Sequence, residues 1–453
     1  MTDQPSVVDL RRDLHAHPEL GFTEYATAAL VMQRLTELGW SVSTGPEVMD
    51  PALRMGLPSQ EQLDTAWADA VTWGVPATFL EPLRDGMTAV VGTLTGRRPG
   101  RVVAIRADLD ALPVQESRAA SHPPRALGFA STRPGLMHAC GHDGHVAIAL
   151  DLAARLADRD FAGTVKLVFQ PAEEGLRGGR AVAASGILDD VDDVICIHLG
   201  VGVPTGAISP DTRGLVGVRE AAGRRSTAPR RTPGRPPERG RSALLAAAAA
   251  TLAVHTLPQH GSASVRANVG SLHAEGASNV VPSHAVMTLE VRADESQACE
   301  DLRARVVQAL QGSAATYGVE CTVDLIGQAP AVVSDESLAQ QLADLAEQVP
   351  SVREVWRAAP DNGSDDASWL IDRVRALGGR GAYVLIGSTP EIGHHESTFD
   401  LDEHALEIGS DLLLAAVQVL GRTAPSVGQS AGSLSCRAPS ATACGPAGRR
   451  CRA

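Results

Sequence analysis

The chain has 453 residues, 44% of them hydrophobic, which suits two or three domains of roughly 150 residues and is too apolar for a disordered chain. Its 40 basic and 53 acidic side chains leave a net charge of −13, which argues against nucleic acid as the main partner. Within the basic set only Lys166 is a lysine, and the other 39 are arginines spread unevenly along the chain.

Residues 7–38 carry apolar side chains at helical spacing (Val8, Leu14, Leu20, then Ala29, Met32, Leu35, Leu38), interrupted by the polar run His15-Ala16-His17-Pro18-Glu19. Residues 101–107 read as a buried strand ending in Asp108-Leu109-Asp110, and 145–157 as a helix. A second strand, 164–170, ends at Pro171-Ala172-Glu173-Glu174-Gly175, and a third runs from Val191 to His198. Strands alternating with helices predict an α/β domain with a largely parallel sheet, whose functional groups gather where strands end. After about 210 the pattern changes to an Ala-rich helix (241–256), strands at 264–271 and 284–293, a helix at 295–313 and a strand at 319–326. This order predicts a small α+β unit of the split-βαβ kind. The helix-and-strand pattern resumes near 335 and runs to Leu420, while 421–453 hold almost no large apolar residues and are expected to be disordered. The expected domains are therefore 1–211 and 326–420, forming one α/β unit, with 212–325 inserted between them.

Seven cysteines are scattered without repeated close spacing, which argues for a reduced, cytoplasmic setting. No apolar run reaches the length of about 18 residues that a membrane span needs, and the first residues lack the layout of a signal peptide. Neither membrane nor nucleic acid is an expected partner.

The densest chemistry is His138-Ala139-Cys140-Gly141-His142-Asp143-Gly144-His145, three histidines and a cysteine within eight residues. Thiolate and imidazole two positions apart on a loop can bind divalent metal. Glu173-Glu174 is either a solvated carboxylate pair or, beside a metal, a ligand next to a general base acting on metal-bound water. His198 closes an apolar strand and is either a packed core histidine or a ligand. His394-His395, before Phe399-Asp400, is weak alone. Together these residues supply five ligands and a base, the inventory of a two-metal hydrolase with ions about 4 Å apart.

These segments resemble metallopeptidase family 20, the di-metal amidohydrolases that include hippurate, indoleacetyl–amino acid and aminobenzoyl-glutamate hydrolases. The likeness is carried by Arg11-Arg12-Asp13-Leu14-His15, Arg106 to Leu112, Met137 to His145, Phe169 to Gly175, Asn279-Val280-Val281-Pro282 and His394 to Glu403, spanning most of residues 7–420. Arg54 to Pro58, Gly178-Gly179-Arg180 and Gly363 to Ser368 resemble the A-subunit type of aminobenzoyl-glutamate hydrolase. The resemblance implies a di-metal catalytic domain with an inserted ferredoxin-like unit that serves as lid and dimer contact. It implies Cys140, His142, Glu174, His198 and His395 as ligands of two divalent ions, manganese or zinc, and Glu173 as general base. Asn279 and Arg292 sit where relatives hold the substrate carboxylate; an ordinary strand-end cation is the alternative for Arg292. Asp143 is expected to orient a ligand from behind. The implied substrate is an N-acyl or N-aroyl amino acid, with p-aminobenzoyl-glutamate as the first choice and an indoleacetyl–amino acid conjugate as the alternative. The implied assembly is a homodimer or a hetero-oligomer with a related subunit.

One stretch departs from the family. Relatives begin the inserted unit with a strand followed by Ala-Ala-His-Ala-Gly, whose histidine polarises the scissile carbonyl in a partner subunit. Here residues 217–237 hold arginines and clustered prolines, among them Pro229, Pro233 and Pro236, without apolar alternation, and irregular backbone is expected. Written in GC-rich codons, Pro229 to Gly234 read from the third base as Ala-Ala-His-Ala-Gly, so two compensating frameshifts bracketing about 219–236 would account for the stretch. Without that histidine the chain is expected to bind metal and hydrolyse weakly or not at all. Residues 217–241 carry a net +6 and 421–453 a net +5; removing these eleven positive charges from −13 leaves −24 for the rest.

Overall fold

The computed structural model describes residues 5–212, 216–225, 240–274, 276–357, 363–389 and 393–422. Helix α1 (Val7–Ala16) opens on a reciprocal cap, in which the Ser6 hydroxyl accepts from the Asp9 amide at 3.2 Å and the Asp9 carboxylate accepts from the Ser6 amide at 3.2 Å. Helix α2 (Tyr25–Glu37) follows, and both fall within the predicted helical stretch. The chain continues through β1 (Ser41–Thr44), α3 (Gln60–Thr72), the short α4 (Ala77–Leu80), β2 (Val90–Thr95), β3 (Arg98–Asp108), the short α5 (Pro123–Ala126), α6 (His142–Arg155), β4 (Ala162–Gln170), α7 (Gly179–Ala184), β5 (Asp193–Leu199) and β6 (Ala207–Ser209).

These strands belong to an eight-stranded sheet of order β1-β2-β4-β3-β5-β12-β6-β11, completed by β11 (Glu354–Val355) and β12 (Arg380–Ile386). Its centre, β4-β3-β5-β12, is parallel, as the apolar strand runs predicted. Alternate residues feed two cores. Val103, Ile105, Leu167, Ile195 and Ile197 pack with α1, α2, α6 and the final helix α12 (His404–Leu420). Ala104, Val168, Val194 and Cys196 face α7 and α11 (Ser368–Ala376) on the other side, while α10 (Glu336–Ala346) adds to the first layer. Strand β3 lies between β4 and β5, with α6 linking β3 to β4 on one face and α7 linking β4 to β5 on the other. The strand order therefore reverses at β3 and leaves a crevice at the carboxyl ends of β3, β4 and β5.

The second unit runs β7 (Val216–Arg225), α8 (Ala243–His255), β8 (Val265–Ala274), β9 (His284–Ala293), α9 (Ser296–Thr316) and β10 (Glu320–Ala329). Its antiparallel sheet has the order β10-β7-β9-β8, a ferredoxin-like arrangement. One face is covered by α8 and α9, which bury Ala250, Val254, Leu302, Val306 and Leu310 against Met287, Leu289 and Val291.

The expectation of irregular backbone over 217–237 is corrected for its first part. Strand β7 is central, paired to β9 over Val216–Arg225 and to β10 over Gly217–Arg225. The prolines of the stretch all follow Arg225, so none removes a ladder donor, and backbone pairing on both sides makes the strand without apolar alternation. The rest of that stretch, 226–237, and the tail from 423 lie outside the described residues. The last strand of the unit reaches Ala329, beyond the predicted boundary at 325.

Candidate metal centre

Three strand ends and one helix start converge on the crevice. Gly141, with φ at +88°, precedes α6 in the left-handed conformation that glycine adopts without penalty, and this turn presents Cys140 and His142 to the same space. Strand β4 delivers Glu173 and Glu174 just past its end, and β5 delivers His198. His395 comes from the loop before α12. Its φ of +69° is uncommon for a residue with a side chain, and its amide is pinned to the Ala139 carbonyl at 2.7 Å.

Ligand-capable atoms lie within 4.8 Å of one another in three overlapping groups: Cys140 with His142 and His198, Cys140 with Glu174 and His395, and His142 with Glu173 and Glu174. Shared members join all six residues into one cluster. Cys140 Sγ is 3.5 Å from His198 Nε2, Glu174 Oε1 is 3.3 Å from His395 Nε2, and Glu173 Oε2 is 3.9 Å from His142 Nε2.

Backbone carbonyls fix two of the imidazoles. His142 Nδ1 is 2.8 Å from the Asp110 carbonyl, and His198 Nδ1 is 2.9 Å from the Leu199 carbonyl. A carbonyl only accepts, so both Nδ1 atoms donate and both Nε2 atoms turn inward. His142 Nε2 is buried with no hydrogen-bond partner. Asp110 also accepts from the amides of Glu173 (2.9 Å) and Glu174 (3.0 Å), so one residue aims a histidine through its carbonyl and two carboxylates through its side chain.

The charge balance of the cluster is anionic. Burial, then Asp365 and Glu174, holds the Glu173 carboxyl well above the usual carboxylate range. Burial and Glu174 push the Cys140 thiol up. Burial alone would lower His142, but Asp108 and Cys140 outweigh it and push this imidazole well above its usual value. His395 is raised to about 10 by hydrogen bonds to Cys140 and Glu174. Burial, with His145 and His394 nearby, holds His198 well below its usual range. A thiol, three imidazoles and a carboxylate in an anionic field, with an unpartnered Nε2 aimed inward, fit divalent cations, which would replace the protons that this field attracts.

Not every predicted site residue joins the cluster. Asp143 stands apart from the expectation that it orients a ligand: the hydrogen bonds of its carboxylate go to Arg11 Nε at 3.0 Å, His15 Nδ1 at 2.7 Å and the Gly144 amide at 2.9 Å. One position after His142 it is turned about 100° around α6, toward α1 instead of the crevice. Asn279 is exposed and does not line the cleft. Arg292, on β9, does line the cleft of about 210 Å³ above Cys140, Glu173, Glu174, His198 and His395, and it pairs with Glu290 at 3.0 and 3.1 Å.

Several residues around the cluster were not singled out from sequence. Asp108 bonds His145 Nδ1 at 2.6 Å and Arg106 at 2.6 Å, and Asp110 aims the ligands. A signal existed, because carboxylates two positions apart at a strand end face the same side. Asp365 and Asp366 also lie near Glu173, but Arg106 stands 3.3 and 3.6 Å from them, and Tyr383 donates to Asp365 at 2.5 Å.

Residues 104–419 match the description of Peptidase family M20/M25/M40. The A subunit of the p-aminobenzoyl-glutamate hydrolase of Escherichia coli (strain K12) is 39% identical over 423 residues, covering 93% of this chain and 95% of that protein. The indole-3-acetyl-aspartic acid hydrolase of Enterobacter agglomerans is 38% identical over 413 residues, covering 90% and 94%. Among solved structures, the aminobenzoyl-glutamate utilization protein from Klebsiella pneumoniae superposes with a TM-score of 0.77 at 33% identity, covering 91% of this chain and 96% of that one. The chain belongs to peptidase family M20/M25/M40 and is a hydrolase of amide bonds.

Proposed function

We propose that the chain is a metal-dependent amidohydrolase that cleaves N-acyl or N-aroyl amino acids, with p-aminobenzoyl-glutamate, giving p-aminobenzoate and glutamate, as its substrate. The observation that carries this reading is the buried Glu173 carboxylate beside the inward His142 Nε2, at a cleft whose opposite side carries Arg292. Cys140, His142, Glu174, His198 and His395 would hold two divalent ions, zinc or manganese. Such ions, when bound, polarise the amide carbonyl and make water acidic.

Glu173 receives the proton of the attacking water and returns it to the leaving nitrogen. Arg292 binds the carboxylate of the amino-acid half through two parallel hydrogen bonds, exchanging Glu290 for substrate. The cleft of about 210 Å³ is smaller than the roughly 300–1,000 Å³ usual for a ligand pocket, so the four-stranded unit acts as a lid that opens to admit substrate. Leu244, Leu245 and Leu252 on α8 are 38%, 54% and 73% exposed, which supports the packing of a second copy, or of a related partner protein, on this helix. No described helix is long and apolar enough to cross a membrane, in keeping with the proposed cytoplasmic setting.

Residues 226–239, where relatives place the lid histidine, favour a second reading, a metal-binding homologue or subunit with impaired turnover. Loss of one oxyanion-type donor costs roughly 100- to 1,000-fold in rate. The test is release of amino acid from p-aminobenzoyl-glutamate and from indoleacetyl-aspartate by metal-loaded protein. Faster release from the first supports the proposal. Metal binding with no release from either, in this chain and in one carrying the family segment, contradicts it.

A further inference from the structure

We propose that His145, the third histidine of the 138–145 segment, is a positioning residue for His198, acting through Leu199 and not by coordination. The inference rests on the reading of His198 as a metal ligand. The Leu199 amide donates to His145 Nε2 at 2.9 Å. An amide N–H can only donate, so this nitrogen is unprotonated and the ring proton sits on Nδ1. That proton points to Asp108 Oδ1, 2.6 Å away, and Asp108 is held in turn by Arg106. His145, Asp108 and Arg106 are all fully buried. Both ring nitrogens of His145 are therefore engaged, and neither has a lone pair free for an ion. This assigns a role to the grouping of Asp108, His142 and His145, whose ligand-capable atoms also lie within 4.8 Å, without making it a further metal site.

The other end of Leu199 carries the consequence. Its carbonyl accepts from His198 Nδ1 at 2.9 Å and lies 3.2 Å from His394 Nε2. With the Leu199 amide tied to His145 and its carbonyl tied to two rings, the residue cannot rotate without releasing His198. The His145 ring also abuts the His198 ring, with centroids 4.8 Å apart at 67°. Gly200, with φ at +79°, completes the turn; a Cβ there would stand 3.1 Å from the His394 ring. The order of control is thus Asp108, His145, Leu199, His198, and the last member presents Nε2 to Cys140.

The test compares His145→Phe, which keeps the ring volume but cannot accept from the Leu199 amide, with His145→Gln, whose side-chain oxygen can. Zinc affinity is measured by chelator competition, and the visible spectrum of the cobalt(II)-loaded full chain reports ligand geometry at each site. His145→Phe is expected to weaken one of the two ions about tenfold, at the low end for residues behind a ligand, and to shift the cobalt bands. His145→Gln is expected to restore most of both. An unchanged spectrum and affinity in His145→Phe overturns the proposal. Loss of one whole ion in both variants also overturns it, by making His145 a ligand. A wild-type chain that binds no zinc or cobalt overturns the metal reading itself, and this inference with it.

Discussion

Below the cleft, Cys140, His142 and His198 stand at the ends of buried strands and at a helix start, with each imidazole locked by a backbone carbonyl. Above it, Arg292 stands on a strand of the smaller unit with its side chain 28% exposed, paired with the Glu290 carboxylate. The lower part is a rigid polar network whose groups were oriented when the chain folded. The upper part is an ion pair, Arg292 with Glu290, on the smaller unit, and the proposed function makes it exchangeable and the unit a lid. On the proposed function, chemistry that depends on sub-ångström placement is kept in the first, and recognition that tolerates movement in the second.

The comparison predicts unequal losses. Glu173→Gln should lower kcat roughly 100- to 10,000-fold while leaving metal content unchanged, because it removes proton transfer and no ligand. Turnover within tenfold of wild type would remove Glu173 from the role of base. Asp143→Ala should act on stability. It leaves the buried Arg11 and His15 without their shared carboxylate, at a cost of about 3–5 kcal/mol in denaturant unfolding of metal-free protein. A variant as stable as wild type would show that this buried network does not hold α1 against α6. Arg292→Ala should lower kcat/KM about 10- to 100-fold, mainly through KM, since a lost hydrogen bond to a charged group is worth about 1.5–3 kcal/mol. A pure loss of kcat would place Arg292 among the groups that act on the reacting atoms.

The smallest effect concerns pH. Glu24 is buried beneath the Glu173 loop, where it accepts from Thr88 Oγ1 at 2.7 Å and from the Ala172 amide at 2.8 Å. Burial, then Asp110, raises its carboxyl from 4.5 to about 8. The folded chain therefore favours the protonated form. This contribution to stability is complete below about pH 4.5 and is lost as pH rises through about 8. Glu24→Gln should gain relative to wild type between pH 5 and 8, at about 2–4 °C in melting temperature per kcal/mol. Parallel curves for the two proteins would refute this account of Glu24.

The parts of the site legible in the sequence are those that local order controls. Cys140 and His142 straddle a glycine, Glu173-Glu174 follows a strand and His198 closes one, so each can be placed from a few neighbouring residues. Asp143 could not be placed that way, because its direction depends on where α1 packs against α6. The role of His145 depends on the amide of Leu199, a residue 54 positions away. Strand β7 was missed for a related reason: its residues carry no alternating pattern, and pairing to β9 and β10 on either side makes it a strand. Asn279 was placed by likeness alone, and its exposed position puts it apart from the cleft.

The central claim is that the strand-end cluster is a metal centre for amide hydrolysis. It is tested most directly by p-aminobenzoate release from p-aminobenzoyl-glutamate, measured on the chain as it stands and on one with the reading frame restored so that Ala-Ala-His-Ala-Gly stands within 229–234, each with metal and after chelation. The account predicts release that chelation abolishes and metal restores, slow in the present chain and roughly 100- to 1,000-fold faster with the segment. Release that survives complete chelation, or none from either chain with two ions bound, would contradict it.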